Sequence, residues 1–291
     1  MAVTLRVHAT GPLALVEDLG RVGASAIGVG RSGAADRAAL RRANRALANP
    51  EGAAGLEVTF GGLEVEVVGG HAWFCVTGAP TPVSVDGRDV GPYGVLSVRP
   101  GQRLRLGVPP HGLRTYVAVR GGIDVPAVLG SRSRDVLAEI GPAPLQEGDE
   151  LPVGPAPESF PDVDVLPPPR FSDEVVLTVV RGPRDEWVQD VETLVQADWT
   201  ASEQSNRIGM RLAGAALEHR ERGRQLRSEG ACRGAIQVPP GGEPVLFLAD
   251  HPVTGGYPVV AVVVDTDVDR AAQVRPGQSL RFRWSPARGR R

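Results

Sequence analysis

Short β-strand patterns that repeat along the chain limit most strongly the folds open to it. From residue 56 to residue 119, apolar and polar residues alternate over short runs, and glycine, proline or aspartate separates the runs. Alternation with a period of two is typical of strands with one buried face, and turn residues at this spacing predict hairpins. The longest apolar run, Val259 to Val264, is far shorter than the roughly 20 residues of a membrane-spanning helix. The pattern predicts a mainly β fold with a few helices.

Helical periodicity interrupts this β pattern in few places. The clearest helix is predicted after Asp36, where apolar residues recur at Ala39, Leu40, Ala43 and Leu47 before Asn49-Pro50 ends the segment. The Asp36 side chain is a suitable N-cap, and the same helix start also offers a place for an anionic ligand. Further helical segments are predicted at residues 124–129 and 185–197.

A proline-rich segment divides the chain. Residues 152–169 hold seven prolines and little that could pack, so we expect a linker there. The predicted domains are an N-terminal β-barrel subdomain (1–155), the linker (156–170), and a C-terminal β-barrel subdomain (171–291) that carries the main cleft motifs. The segments Val98–Leu106 and Val274–Phe282 also resemble each other, as V-R-P-G-Q-R-L-R-L and V-R-P-G-Q-S-L-R-F. Pro-Gly at the centre of both predicts the same tight turn in each half.

The charge composition excludes several kinds of chemistry. The chain has 32 basic and 34 acidic residues and a net charge of -2, which gives no overall reason to expect nucleic acid or a membrane as partner. Every basic residue is arginine, so the chain offers no Walker A lysine, Schiff-base lysine or lysine that carries biotin. Arginine still binds carboxylate and phosphate groups in a bidentate manner.

Cysteine and histidine spacing predicts neither a disulfide framework nor a metal site. The two cysteines, Cys75 and Cys232, are far apart in the sequence, and the five histidines are scattered without metal-ligand spacing. Cys75 lies in an apolar run and is predicted to be buried. Since Glu17 and Asp18 stand where a signal peptide needs apolar residues, a cytoplasmic protein is predicted.

Candidate binding residues cluster between residues 202 and 258, where polar, glycine-flanked segments alternate with apolar runs. Loops and strand ends of a β scaffold often converge on one cleft, although ordinary turns would give the same composition. The candidate catalytic residues are Asp250, Glu229 and Tyr257. The candidate substrate-binding residues are Ser205, Asn206, Arg207, Arg211, Gln237, Thr254, Gly255 and Gly256 in this segment, with Ser32 and Asp36 in the first half.

Each candidate has a chemical reason. Gln237 can read an amide or lactam by paired hydrogen bonds, and Arg211 is expected to point inward from a strand. Glu229 is a candidate general base or arginine partner, and Asp250 ends a strand in the manner of a cleft carboxylate. Glycines 255 and 256 allow close approach of a ligand to the backbone.

The ordered motifs carry a resemblance. They are V-E-D-L-G-R from Val16, S-G-A-A-D from Ser32, G-S-R-S from Gly130, S-N-R-I-G-M-R-L from Ser205, G-A-I-Q-V-P-P from Gly234 and T-G-G-Y-P from Thr254. This set resembles the family of allophanate hydrolase subunit 2 and the biotin-dependent carboxyltransferase of urea amidolyase. Within that family, the motifs are most similar to those of the branch that contains the C subunits of 5-oxoprolinase. The resemblance implies two cyclophilin-like β-barrel subdomains side by side.

The resemblance also implies a function that the chain performs only within a complex. The expected activity is ATP-dependent hydrolysis of 5-oxo-L-proline to L-glutamate, together with an allophanate hydrolase subunit 1-like protein and a lactam-utilisation protein similar to the A-type component of 5-oxoprolinase. ATP is expected to bind at least partly on those partners, and no biotin is expected on this chain. The alternatives are the carboxyltransferase subunit of a urea carboxylase or allophanate pathway, and a non-catalytic antagonist of a kinase inhibitor.

Overall fold

A computed structural model describes residues 2–160, 163–221 and 223–286 of the chain. The contacts divide the chain into two compact units. Unit 1 contains Met1–Ala24 and Arg31–Phe171, and unit 2 contains Ser25–Gly30 and Ser172–Arg291. The domain limits expected from the sequence stay a prediction.

Unit 1 is built from antiparallel strands and one helix. Its elements are β1 (Thr4–Thr10), β2 (Leu13–Glu17), α1 (Arg37–Ala46), β3 (Gly55–Thr59), β4 (Leu63–Val68), β5 (Ala72–Gly78), β6 (Val83–Val85), β7 (Arg88–Asp89), β8 (Val95–Val98), β9 (Arg103–Leu106), β10 (Arg114–Val119) and β11 (Glu150–Pro152). In the described part of the chain they form one sheet in the order β11-β1-β4-β9-β6-β7 and another in the order β2-β3-β10-β5-β8. The mainly β fold is therefore confirmed.

The core of unit 1 follows from the alternation in its sequence. In β4, Leu63, Val65 and Val67 are fully buried, while the two glutamates between them lie on the outer face. Burial of each such apolar side chain stabilises the fold by about 1.5–3 kcal/mol. On that outer face, Glu64 forms an ion pair with Arg103 at 2.9 Å. One face of the sheet thus faces the core and the other faces solvent.

Helix α1 covers the second sheet of unit 1. The Asp36 side chain accepts a hydrogen bond from the Ala39 backbone N–H at 2.9 Å, which confirms the predicted N-cap. Leu40 and Ala39 pack with Tyr116 of β10 in a small buried cluster. The helix ends at Ala46, just before the predicted Asn49-Pro50 stop.

Unit 2 contains a closed barrel. Its elements are β12 (Val175–Arg181), α2 (Thr193–Gln196), β13 (Trp199–Ala201), β14 (Gly209–Ala213), β15 (Glu229–Gly230), β16 (Ala235–Gln237), β17 (Val245–Phe247), β18 (Thr254–Gly255), β19 (Val259–Val263), α3 (Asp265–Ala271) and β20 (Ser279–Trp284). The barrel order is β12-β19-β16-β17-β14-β13-β20, and β15 and β18 form a separate ribbon. Trp199 is fully buried in the barrel core, where its indole N–H donates to the Leu194 carbonyl at 2.9 Å.

The proline-rich segment is bound to unit 1 by backbone hydrogen bonds on its C-terminal side. The Val95 N–H donates to the Asp164 carbonyl at 2.9 Å, and the Leu166 N–H donates to the Tyr93 carbonyl at 2.8 Å. The Leu166 side chain packs against a cluster that includes Cys75. Cys75 is buried, as predicted, and this burial raises the pKa of its thiol to about 12.

The two similar nine-residue segments form the same turn. In unit 1 the Arg99 N–H donates to the Gln102 side chain at 2.9 Å, and in unit 2 the Arg275 N–H donates to the Gln278 side chain at 3.1 Å. Gly101 and Gly277 have φ angles of 83° and 78°. Their N–H groups donate at 2.7 Å to backbone carbonyls of β4 and β13. The shared sequence therefore encodes one turn geometry, used once in each unit.

Two helix predictions are wrong. Residues 124–129 form no helix, and Val128 pairs instead with Ser131 in an isolated β-bridge. The predicted helix at 185–197 is a 3₁₀ turn at Asp185–Trp187 followed by α2. Between them, Val188 forms a bridge with His219, which holds the backbone extended. Within the part of the chain that the structure describes, no helix combines the length and the apolar character needed to cross a bilayer.

Candidate functional site

A row of residues on the outer face of the unit 2 barrel carries two of the candidate side chains. Arg211 of β14 and Gln237 of β16 both lie directly opposite Val245 of β17 in the strand pairing. Directly opposite residues of antiparallel strands point to the same face, and Arg211 is exposed. The expectation that Arg211 points inward is therefore wrong. Because neighbouring strands lie about 4.7–4.9 Å apart, the two side chains start about 10 Å from each other.

The β15–β18 ribbon brings further candidates to Gln237. In the ribbon, Glu229 pairs with Gly255 and Gly230 pairs with Thr254. A Cβ atom built on Gly255 would lie 3.3 Å from the Gln237 side-chain oxygen, so a glycine here lets the ribbon approach the barrel closely. Gln237, Gly255 and Glu229 thus lie together. We call these three residues, together with Arg211 and Arg184, the outer-face group.

Arg184 is a member of this group that the sequence analysis did not identify. Its Nε donates to Glu229 Oε2 at 3.2 Å, and its Nη2 donates to the other carboxylate oxygen. The hydrogen bond to Glu229 raises the pKa of the Arg184 guanidinium. Glu229 is therefore an arginine partner, one of the two roles expected for it. Arg184 follows the Gly-Pro turn after β12, a position at the end of a strand that is itself a signal for binding residues.

Arg207 and Asp250 form a buried ion pair away from the outer-face group. Arg207 Nε lies 2.8 Å from Asp250 Oδ2, and Nη2 lies 3.1 Å from Oδ1. Their side chains are 2% and 0% exposed. Arg207 precedes β14 and Asp250 follows β17, so the pair lies at the end of these strands opposite to Arg211 and Val245. A fully buried carboxylate held at both oxygens is placed to position the chain rather than to exchange protons with a substrate.

Ser205 and Asn206 shape the loop before β14. The Asn206 side-chain oxygen accepts hydrogen bonds from the Ile208 N–H at 2.8 Å and the Gly209 N–H at 3.2 Å. This is an Asx turn, so the oxygen of Asn206 serves the backbone. The Ser205 hydroxyl is buried, and no hydrogen-bond partner for it is found in the described residues.

Thr254, Gly256 and Tyr257 lie in the segment between Asp250 and β19. All three are exposed, and 45% of the Tyr257 surface is open to solvent. The Ala231 N–H donates to the Val253 carbonyl at 2.9 Å, which holds this segment against the start of the ribbon. The segment therefore runs from the buried pair to the outer-face group, and its phenol is accessible.

Ser32 and Asp36 have structural contacts within unit 1. The Ser32 hydroxyl donates to the Arg134 carbonyl at 3.0 Å, and Ser32 itself has a φ of 55°. The Asp36 backbone N–H donates to the Tyr116 hydroxyl at 2.7 Å, and that hydroxyl donates to Glu57 at 2.8 Å. Burial raises the pKa of Tyr116 well above its usual value, and the charge of Glu57 acts in the same direction.

Two of the sequence motifs in unit 1 hold each other. Asp18 accepts hydrogen bonds from the hydroxyls of Ser131 and Ser133, both at 2.6 Å, and from the Arg132 N–H at 2.6 Å. Arg21 is 1% exposed and donates to the carbonyls of Val128 and Ser133. The V-E-D-L-G-R and G-S-R-S motifs are thus one interlocked pair of loops.

The glycine pairs of unit 1 do not form a phosphate cradle. A Cβ atom on Gly61 would lie 1.9 Å from the Gly107 carbonyl oxygen, and one on Gly121 would lie 2.2 Å from the Gly154 carbonyl oxygen. These glycines pack against backbone, so the space that a phosphate needs is filled. Among residues 2–160, 163–221 and 223–286, no group of three or more His, Cys, Asp or Glu side chains is arranged to hold a metal ion.

Comparison with known proteins covers nearly the whole chain. The family model of the carboxyltransferase domain, subdomains A and B, matches residues 27–284. The chain is 36% identical over 285 residues to the C-type component of 5-oxoprolinase from Escherichia coli (strain K12), and the match covers 96% of this chain and 90% of that protein.

Larger proteins match over only part of their length. Urea amidolyase of Saccharomyces cerevisiae is 31% identical over 290 residues, which cover 90% of this chain but 16% of the amidolyase. The crystal structure of TTHA0988 matches with a TM-score of 0.88 at 30% identity and covers 96% of this chain and 55% of its own. The chain therefore spans about half the length of that solved structure and a small part of the amidolyase.

Proposed function

The chain belongs to the carboxyltransferase domain family, subdomains A and B, and from this we propose that it is one member of an ATP-dependent 5-oxoprolinase complex. The complex hydrolyses 5-oxo-L-proline to L-glutamate. Its other members are an allophanate hydrolase subunit 1-like protein and a lactam-utilisation protein similar to the A-type component of 5-oxoprolinase.

One observation supports this proposal most directly. The match to the C-type component of 5-oxoprolinase extends over 96% of this chain and 90% of the relative, so the two chains correspond almost from end to end. The match to urea amidolyase extends over 16% of that protein. The identity is also higher to the 5-oxoprolinase component, at 36%, than to urea amidolyase, at 31%, and this favours the first function over the second.

The outer-face group supplies side chains that suit a cyclic amide. The Gln237 side chain has a carbonyl oxygen and an NH₂ group, which together match the N–H and C=O of a lactam. Arg211, on the same outer face, is suited to the carboxylate of 5-oxoproline or to an oxyanion that develops on the lactam oxygen. The backbone at Gly255 lies close to the Gln237 side chain, and we include the neighbouring Gly256 backbone and the exposed Tyr257 hydroxyl in the proposed surface.

The charged pairs around this group act differently. Glu229 can act as a base only after its hydrogen bonds with Arg184 break. While these bonds are intact, the Arg184–Glu229 ion pair holds the β15–β18 ribbon in place. Asp250 acts through Arg207 by holding the segment that carries Thr254 and Tyr257. We assign Glu229 and Tyr257 to proton transfer and Asp250 to positioning.

ATP and biotin chemistry belongs on other polypeptides in this proposal. The glycine pairs packed against backbone in unit 1 leave no cradle for phosphates, and the chain has no lysine for a P-loop or for covalent biotin. We place at least part of the ATP site on the partners. This division explains why the chain alone is expected to be inactive.

The test is reconstitution. The chain is coexpressed with its two partners, and glutamate release is measured with 5-oxo-L-proline, with and without ATP. The full set produces glutamate only with ATP, and each chain omitted singly abolishes it. Gln237→Ala lowers the rate about tenfold or more, because its hydrogen bonds to the lactam N–H and C=O are lost. The control Gln196→Ala, an exposed position on α2, keeps the full rate. No turnover in the complete assembly rejects the proposal.

A urea carboxylase function is the second candidate, since the 31% identity to urea amidolyase covers 90% of this chain. That function requires a biotinylated partner. Pull-down of the tagged chain followed by a streptavidin blot distinguishes the two functions. A biotinylated partner that copurifies, together with bicarbonate- and urea-dependent ATP hydrolysis, selects the second one.

A further inference from the structure

A cleft of about 520 Å³ opens in unit 1 and contains none of the candidate site residues. Its lining includes Val3, His71, Trp73, Arg120, Gly154 and Pro155. A volume of this size falls within the range of small-molecule sites. The cleft is therefore large enough for an organic ligand and lies outside the surface used in the proposed function.

One wall of the cleft is aromatic. The Trp73 ring makes edge-on contacts with the rings of His71 and Phe160, each with centroids 5.0 Å apart. Trp73 and His71 line the cleft and Trp73 is half-buried, while Phe160, which is 43% exposed, lies behind them as a neighbour of the Trp73 ring. Aromatic rings that are partly open to a cleft favour a planar apolar ligand, because a further ring can join the edge-on arrangement.

Arg120 supplies a positive charge beside this wall. Its backbone N–H donates to the Trp73 carbonyl at 2.8 Å, and its guanidinium lies 4.3 Å above the Phe160 ring. The Nη2 group donates to the Ser159 carbonyl at 2.8 Å and to the Pro157 carbonyl. Two carbonyls and a ring thus hold the guanidinium in one orientation.

The charge of Arg120 has no carboxylate neighbour in the described structure. Across residues 2–160, 163–221 and 223–286, no Asp or Glu oxygen lies within 4.0 Å of its guanidinium. Arg6 of unit 1, by contrast, is paired with Glu150 at 3.1 Å. A guanidinium that is held in one orientation and has no acid partner among the described residues can bind the carboxylate of a ligand.

The backbone at the base of the cleft is rigid. The Gly154 N–H donates to the Gly122 carbonyl at 2.9 Å, and a Cβ on Gly154 would lie 2.6 Å from the Gly121 carbonyl oxygen. Because the backbones are in such close contact, the cleft keeps its shape before a ligand arrives.

We propose that this cleft binds a small aromatic carboxylate, whose ring packs against Trp73 and whose carboxylate pairs with Arg120. His71 also lines the cleft and is exposed, and its Nε2 is 2.7 Å from the Ser97 hydroxyl. This site is independent of the 5-oxoprolinase proposal, because it uses no residue of the outer-face group.

The probe for the test is 4-fluorobenzoate, observed by fluorine NMR as it is titrated into the full chain. Saturable line broadening is expected, with a dissociation constant of about 1 mM or tighter, as for one ion pair plus one ring contact. Two analogues are expected to bind about tenfold more weakly than 4-fluorobenzoate. The alcohol 4-fluorobenzyl alcohol lacks the carboxylate, and cyclohexanecarboxylate, which is measured as a competitor, lacks the aromatic ring.

Variants separate the two contacts. Arg120→Gln and Trp73→Leu each weaken 4-fluorobenzoate binding about tenfold. The control Arg99→Gln removes the same charge from an exposed position of unit 1 and leaves binding unchanged. Arg120→Lys keeps the positive charge but lacks the planar guanidinium, so its affinity for 4-fluorobenzoate is expected to be intermediate. It provides a second test of the charge in case the glutamine variant does not fold.

Circular dichroism melting curves confirm that each variant is folded. Absence of saturable broadening in the unmodified chain up to about 10 mM probe overturns the proposal. Equal binding by folded Arg120→Gln, or equal binding of the alcohol, also overturns it. Inactivity of the reconstituted 5-oxoprolinase would not affect these results, so failure of either proposal is recognisable by itself.

Discussion

The buried pair Arg207–Asp250 allows a quantitative test of how unit 2 is held together. Arg207→Met keeps the length of the side chain but removes the guanidinium that contacts both oxygens of Asp250, at 2.8 and 3.1 Å. Because the carboxylate is 0% exposed, water does not replace these hydrogen bonds without a local opening. Breaking one partner of such a pair costs about 3–5 kcal/mol of unfolding free energy.

This loss is a large fraction of the stability of a domain. A typical domain is stable by about 5–15 kcal/mol, so the variant loses about a fifth or more of its free energy of unfolding. The double variant Arg207→Met/Asp250→Leu removes both charges and fills the space with apolar atoms. It is expected to recover most of the loss, since apolar replacement of a whole buried pair is often neutral.

The assay is urea denaturation at pH 7, followed by the fluorescence of tryptophan, including Trp199 in the barrel core. The control is Arg281→Met, which breaks ion pairs whose arginine is 53% exposed and costs about 1 kcal/mol or less. A loss below about 1 kcal/mol for Arg207→Met would refute the reasoning. A double variant as unstable as the single one would do the same, because the buried charge would then not be the cause.

Three further predictions concern a turn, a surface carboxylate and the thiols. Gly277→Ala lowers the unfolding free energy by about 1 kcal/mol, because a residue with a Cβ is strained at a φ of 78°, although no atom lies within 4 Å of the added Cβ. Chemical denaturation measures the loss, and an unchanged midpoint contradicts the prediction. The hydrogen bond from His8 holds the pKa of Glu66 below its usual value, so Glu66 stabilises the fold above a pH of about 4.3, and this contribution disappears as the pH falls through the lowered pKa. In Glu66→Gln the melting temperature should therefore depend less steeply on pH in that window. An unchanged slope refutes this prediction. Ellman's reagent at pH 8 should label the exposed Cys232 and leave the buried Cys75 unmodified until denaturant is added, because burial raises the pKa of Cys75 to about 12. Rapid labelling of both thiols in the native chain would disprove this.

Local signals in the sequence predicted the local structure well. The alternation in β4, the Asp36 cap and the repeated Pro-Gly turn each depend on a few adjacent residues, and the structure contains all three. The predicted helix at 185–197 failed because contacts from distant residues compete with it. The Gln189 N–H donates to the Glu218 carbonyl at 2.8 Å, a bond that helical periodicity cannot anticipate.

The residues of the candidate site stay a prediction, and the sequence did not predict how they are arranged. Which face Arg211 occupies depends on strand register, and a shift of one residue would reverse it. Arg184 lies 45 positions from Glu229 along the chain, so no local motif connects the two. The sequence likewise placed Asp250 and Gln237 in one cleft, although the barrel separates them along strand β17.

That separation gives the two groups of charged residues different tasks. The buried pair fixes the point where the chain leaves β17, and the residues from Asp250 to Pro258 then lead to the ribbon and to β19. Because the Asp250 N–H also donates to the Arg207 carbonyl at 3.0 Å, side chain and backbone hold the same point. The exposed Tyr257 and the close contact between Gly255 and Gln237 depend on where this segment begins. Under the proposed function, the substrate-binding residues of the outer face are therefore expected to depend on a carboxylate that need not touch the substrate.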